Sequence, residues 1–138
     1  MLDFSQFIHA WQPRLLGVLR IVTGLLLLHH GTAKLFGFPH VEMFDKMSIL
    51  SLLGVSALLE FFGGLFLIAG FYTRPVAFIL SGEMAFAYFL VHAPKSFFPV
   101  LNQGELAVLY CFVLLYLSVA GGGAFSLTGD GKRDTASL

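Results

Sequence analysis

Polar residues are sparse between Leu15 and Ala120, and the chain reads there as four long apolar stretches with short polar breaks. A helix rises about 1.5 Å per residue against a hydrocarbon core about 30 Å thick, so about 20 apolar residues suffice to cross a bilayer. The first stretch runs from Arg14 to Phe36 and the second from Ile49 to Phe71. The third follows Thr73-Arg74-Pro75 and ends near His92, before Pro94. The fourth and shortest runs from Glu105 to Ala120 and stops at Gly121-Gly122-Gly123. Pro75 suits the first turn of a helix, where a missing N–H costs nothing. Asn102 followed three residues later by Glu105 has the spacing of a capping box.

The pattern predicts an all-α polytopic membrane protein, a four-transmembrane-helix bundle with short interfacial helices. Phe4, Phe7, Ile8 and Trp11 recur at helical spacing with Asp3, Gln6 and His9 on other faces, which predicts a helix lying in the headgroup region over residues 1–13. Val41, Phe44 and Met47 repeat this more weakly within Pro39–Ser48, and Pro94–Leu101 can dip into the same layer. Residues 14–121 then form the transmembrane domain and 122–138 a polar C-terminal tail, small and polar from Thr128 to Leu138, where it should be disordered. Asp3 and Gln6 interrupt the N-terminus too early for a secretory signal.

Composition agrees. Of 138 residues 57% are hydrophobic and 12% charged, about half the charge of an ordinary soluble domain. Sixteen phenylalanines suit lipid-facing helices better than a soluble surface. Eight basic residues balance eight acidic ones, which leaves no basic excess for nucleic acid. The single cysteine, Cys111, rules out an internal disulfide and paired-thiol redox chemistry, and its apolar neighbours make it a small buried hydrophobe. An even number of spans puts both termini on one side, with Arg14, Arg74, Lys132 and Arg133, against Lys34, Lys46 and Lys95 on the other. The positive-inside rule therefore favours cytoplasmic termini.

The informative residues are the ionisable ones inside the spans. Each costs about 2.5–3.5 kcal/mol at mid-helix, so it should face protein and have a partner. Depth sorts them into two layers. Measured from the side with both termini, Arg20 lies about 9 Å, Glu83 about 12 Å and Glu60 about 16 Å deep, differences an arginine side chain can bridge. The expectation is an inner cluster of Arg20, Glu60 and Glu83. Two carboxylates beside one guanidinium will not both ionise in low dielectric, so one keeps a proton. That suits proton-coupled redox chemistry or transport, while the plainer reading is an Arg20–Glu60 pair that staples two helices. The second layer, a binding mouth on the far side, comprises His30, Lys34, His92 and Glu105. At 100° per residue Arg20, Thr23, Gly24, Gly31 and Lys34 share one face; His30 borders it and His29 points away. Ser56, Ala57, Gly63 and Gly64 flank Glu60, small residues that let membrane helices approach closely. Adjacent histidines diverge on a helix, so no metal site is expected, and no haem, iron–sulfur or flavin motif occurs.

The order of motifs resembles the DoxX family of small bacterial membrane proteins. Arg20 precedes His30-Gly31-x-x-Lys34 in the first span; Glu60-x-x-Gly63-Gly64 leads to Gly70 and Arg74 around the exit of the second. Glu83-Met84-x-x-Ala87 follows in the third, then Asn102-x-Gly104-Glu105 and a glycine-rich exit to Ser126-Leu127. The resemblance spans about Leu15 to Asp130. The exit reads Gly-Gly-Gly-Ala-Phe-Ser instead of the family's usual Gly-Pro-Gly, and Asp130 is displaced from the usual acidic position, so that site is not carried over. The resemblance implies a four-helix bundle in the bacterial inner membrane. Some members resemble a subunit of thiosulfate:quinone oxidoreductase, others are linked to oxidative or quinone stress, and many have no known role. The resemblance implies much less about activity than about fold; the favoured expectation is an oxidoreductase component that handles a quinone or similar apolar partner, and with no cofactor motif its electrons come from a partner or directly from substrate. A small proton-coupled transporter and a non-enzymatic scaffold subunit that docks a soluble redox enzyme are the alternatives, and either assembly could be a homo-oligomer within the lipid bilayer.

Overall fold

The computed structural model describes residues 3–129, and every described element is helical. Helix α1 spans Phe4–Phe36, α2 Leu52–Ala69, α3 Thr73–Ala87, α4 Pro99–Asn102 and α5 Glu105–Ala120. A single 3₁₀ turn, Glu42–Phe44, lies between α1 and α2, and α3 continues as a π-helical turn through Tyr88–His92. Helices α1, α2 and α3 with its π turn are long and apolar enough to cross a membrane. Helix α5, with 16 residues, is apolar but shorter. The part of the expected tail over residues 130–138, with Asp130, Lys132 and Arg133, lies outside the described residues.

The residues predicted to lie in the interface, from Phe4 to Gln12, are not a separate helix. They run unbroken into the first span, with Pro13 inside α1. Local chemistry sets the other ends. Gly37 and Gly70 close α1 and α2 in the left-handed conformation that lacks a Cβ penalty. The Ser51 hydroxyl accepts from Gly54 N–H at the start of α2. Asn102 does not cap α5 with Glu105, because it ends α4, and Gly104 precedes α5. The Asn102 side chain instead accepts from Gly104 N–H at 2.8 Å and donates to the Ser96 carbonyl at 2.9 Å and the Tyr88 hydroxyl at 3.3 Å, holding the loop between α3 and α5 together.

Helix α1 packs along α2, α3 along α5, and α2 meets α3. Backbone contact governs the first pair. A β-carbon on Gly31 would sit 2.5 Å from Phe61 N, and one on Gly64 2.8 Å from the Gly24 carbonyl oxygen. In lipid, where apolar burial between helices gains little, such close packing is the main attraction available. Leu27, Leu67, Leu80, Leu114 and Leu117 fill the centre. Large apolar side chains such as Phe62, Phe78, Phe86 and Phe112 point outward, as a lipid solvent requires.

Candidate functional site

Two buried cations on one face of α1 organise two ends of the bundle. Arg20, Thr23, Gly24 and Gly31 are buried along that face, and the Lys34 side chain is 8% exposed. His29 points outward and His30 is half-buried.

Arg20 does not join Glu60 and Glu83. Its Nε donates to the Gly122 carbonyl at 2.8 Å. Its Nη1 donates to the carbonyls of Leu67 at 2.5 Å and Ile68 at 3.0 Å, and its Nη2 to those of Ala124 at 3.2 Å and Phe125 at 3.0 Å. A guanidinium has five N–H donors, so all are met by main-chain oxygens. Leu67 and Ile68 belong to the last turn of α2, whose carbonyls have no partner within the helix and carry the negative end of its dipole. The other three oxygens come from the segment after α5, which folds back over the bundle. Ala124 N–H donates to the Pro13 carbonyl, and the Ser126 hydroxyl and Thr128 N–H donate to the Gly70 carbonyl. The segment after α5 is thus tied down as far as Thr128, the residue at which the sequence predicts the disordered tail to begin.

Lys34 takes the place predicted for Arg20. Its Nζ donates to Glu60 Oε2 at 2.6 Å and to Ser56 Oγ at 2.8 Å. Ser56 Oγ donates in turn to Glu83 Oε1 at 2.7 Å. Helices α1, α2 and α3 therefore meet in one hydrogen-bonded chain. Glu60 is buried, and Glu83 Oε2 is buried without a hydrogen-bond partner among the described residues. Phe44, from the 3₁₀ turn, lies over the Lys34 ammonium at 5.8 Å.

The remaining predicted mouth residues separate. His30 meets Tyr110 of α5 edge to face at 6.4 Å. His92 lies in the π turn, stacks on Tyr88, and places Nδ1 3.0 Å from the Asn102 carbonyl oxygen. Glu105 is exposed, on the outward face it shares with Leu109, Phe112 and Tyr116. The second layer is therefore not one site. Ser56 is the residue that charge-based reading missed as a chemical participant. Its one-turn spacing from Glu60 on the same face was the available signal. Among the described residues no group of histidine, cysteine, aspartate and glutamate is arranged to hold a metal ion.

An apolar groove of about 380 Å³ runs between α2 and α3, lined among others by Val55, Leu59, Phe62, Ile79 and Leu80, beside the turns that carry Ser56 and Glu83. A larger groove of about 560 Å³ lies between the start of α1 and the end of α5, lined by Phe7, Trp11, Leu15 and Tyr116, with no acid, lysine, arginine or histidine in its wall.

Apolar outward faces, a glycine-packed helix pair and ionisable groups gathered inward define a multi-pass helical membrane protein. The chain belongs to the DoxX family, whose sequence model matches residues 15–93. An uncharacterized protein of Haemophilus influenzae is 41% identical over 125 residues, covering 87% of this chain and 92% of its own length. No solved structure matches the chain.

Proposed function

We propose that this DoxX-family protein is a membrane component of an oxidoreductase system that handles a quinone or a similar apolar redox partner. The Lys34–Ser56–Glu60–Glu83 cluster is its proton-exchanging site. The observation that carries this reading is the charge count of a buried cluster: one ammonium and two carboxyls linked through one hydroxyl. With both carboxyls ionised the cluster holds an unbalanced negative charge inside the bilayer, which is costly. One proton makes it neutral, and a proton shared between two such states is exchangeable. The groove between α2 and α3 supports an apolar partner, because it opens toward the lipid in which quinones dissolve. Electrons come from a partner enzyme or from substrate. The chain sits in the bacterial inner membrane with both termini cytoplasmic, Arg14 and Arg74 flanking that side.

The test is quinone reduction by membranes from cells that lack the protein, compared with membranes complemented by it. A several-fold loss without the protein is expected. Unchanged quinone reduction and unchanged quinone tolerance would overturn the reading. Flux driven by a pH gradient in proteoliposomes, with quinone reduction unaffected, would assign the cluster to transport.

A further inference from the structure

We infer that Glu83 is the carboxyl that carries the exchangeable proton, on Oε2, and that Ser56 is the positioning residue that places it there. This rests on the reading of the cluster as a proton site and divides the work between its two glutamates. Hydrogen-bond polarity carries it. An ammonium only donates, so Lys34 gives one N–H to Glu60 Oε2 and another to Ser56 Oγ. Ser56 Oγ has its own hydrogen left to give, and among the described residues the acceptor within reach is Glu83 Oε1. That oxygen is therefore an acceptor, and an acid proton on Glu83 belongs on the other oxygen. Glu60 has direct contact with the ammonium and stays as its counter-ion. Glu83 makes no ion pair among the described residues.

Among the described residues Glu83 Oε2 is buried with no hydrogen-bond partner. A carboxylate oxygen left so would be a buried charge without a donor, whereas an O–H is a neutral donor that lacks only an acceptor. The groups facing the cluster do not change this count. Glu60 and Ser56 come from α2 and Lys34 from α1, while the His30 and Tyr110 rings of α1 and α5 lie beside it with no hydrogen bond to Glu83. The chemistry that completes the site is an acceptor oxygen, such as a ring carbonyl, brought against Oε2. When that oxygen takes the proton, Glu83 is left as a carboxylate. The cluster then holds one negative charge in excess while Ser56 still donates to Oε1, and it regains neutrality when a proton taken up from outside the cluster returns to Oε2.

Infrared spectroscopy of the whole protein in lipid nanodiscs reads the proton directly, through the C=O stretch of a protonated carboxyl. At neutral pH wild type should show that band. Glu83→Gln, which keeps the shape and an acceptor oxygen for Ser56, should abolish it. Ser56→Ala should move the band to higher frequency, because the C=O loses its donor, and Ser56→Thr should restore it. No band in wild type, a band that survives Glu83→Gln, or a band that Ser56→Ala leaves in place would each overturn the inference. Adding a short-chain quinone should shift the wild-type band. A band that meets the other conditions but ignores the quinone keeps the assignment of the proton and removes the quinone, so the two readings fail separately.

Discussion

Arg20 and Lys34 lie on the same face of the same helix, are both shielded from solvent, and solve their burial in opposite ways. Arg20 meets five main-chain oxygens and no carboxylate among the described residues. Nothing in that arrangement can change its protonation, because peptide carbonyls do not titrate and a guanidinium does not lose its proton in proteins. Lys34 meets a hydroxyl and a carboxylate, with a second carboxyl one bond further along. The difference separates structure from chemistry: one buried cation is a clasp between helix ends, and the other is part of a set that can hold or release a proton.

The sharpest way to break this contrast is at the clasp. Arg20→Ala removes a donor from five carbonyl oxygens in a buried site, two of them at the end of α2, where Leu67 O keeps Gly70 N–H and Ile68 O does not. Each unsatisfied buried acceptor costs about 1–3 kcal/mol, partly recovered where water enters, so a loss of about 4 kcal/mol or more is expected. Unfolding in mixed micelles measures it, and quinone-linked activity should fall only in proportion to the folded protein. Arg20→Lys keeps the charge but has three donors where five are needed, and should recover roughly half the loss. A stable Arg20→Ala protein with altered chemistry would erase the distinction between the two sites.

Lys34→Met comes next. It leaves two carboxyls with no cation, and they must take up protons or stay charged in a medium that disfavours charge. A loss of about 3 kcal/mol is expected, typical of removing one partner of a buried pair. The double variant Lys34→Met with Glu60→Gln removes both charges and should regain most of that stability, which a double-mutant cycle reads as strong coupling. Additive losses would mean that Lys34 and Glu60 do not depend on each other.

The sequence made the membrane architecture plain and the inward face of α1 nearly so, because lipid leaves polar groups only one direction to point. Pairing was a different matter. Arg14 and Phe71 taken as one plane put Arg20 within reach of Glu60. The packed helices put Arg20 opposite Leu67 and Ile68 instead, seven and eight residues beyond Glu60 or about 11 Å along the helix. The same antiparallel register carries Lys34 to Ser56 and Glu60. It is set by the Gly24–Gly64 and Gly31–Phe61 contacts, which depend on how two surfaces fit and are not visible in the hydropathy of either. The partners of Arg20 were harder still to read. They are backbone oxygens of a helix end and a glycine-rich exit, and side-chain identity gives backbone acceptors no signature. Glu105 misled for a related reason: its charge suggested the interior, but its helical phase with Leu109, Phe112 and Tyr116 belonged to the outer face.

Register itself can be tested at Gly31. A methyl group there would meet Phe61 N, Cα and Cβ, mostly backbone that cannot swing aside. Gly31→Ala should cost about 1–3 kcal/mol through overpacking, offset by about 1 kcal/mol from better helix propensity. Because Lys34 lies one turn further on, the separation of α1 and α2 should also lengthen the Lys34–Glu60 contact and shift the carboxyl infrared band. Gly82, inside α3, where a β-carbon would meet open space, is the matched control: Gly82→Ala should gain the helix-propensity contribution alone, about 1 kcal/mol, and leave the band unchanged.

The smallest stability effect should come from the residue with the largest proposed chemical role. Glu83→Gln replaces a carboxyl by an amide of nearly the same shape. The amide oxygen can still accept from Ser56 Oγ, and the amide N–H₂ takes the position of the unpartnered Oε2. If Glu83 holds a proton in the native protein, a neutral group replaces a neutral group, and unfolding in micelles should change by less than about 1 kcal/mol. If Glu83 is instead a charged partner of Lys34, removing it leaves the ammonium with Glu60 alone and the cost should rise toward the Lys34→Met value. Glu60→Gln supplies the scale, since it breaks the 2.6 Å ion pair itself. A Glu83→Gln protein as destabilised as Glu60→Gln would mean that the two carboxyls are equivalent, and that the cluster is a second clasp like the one around Arg20.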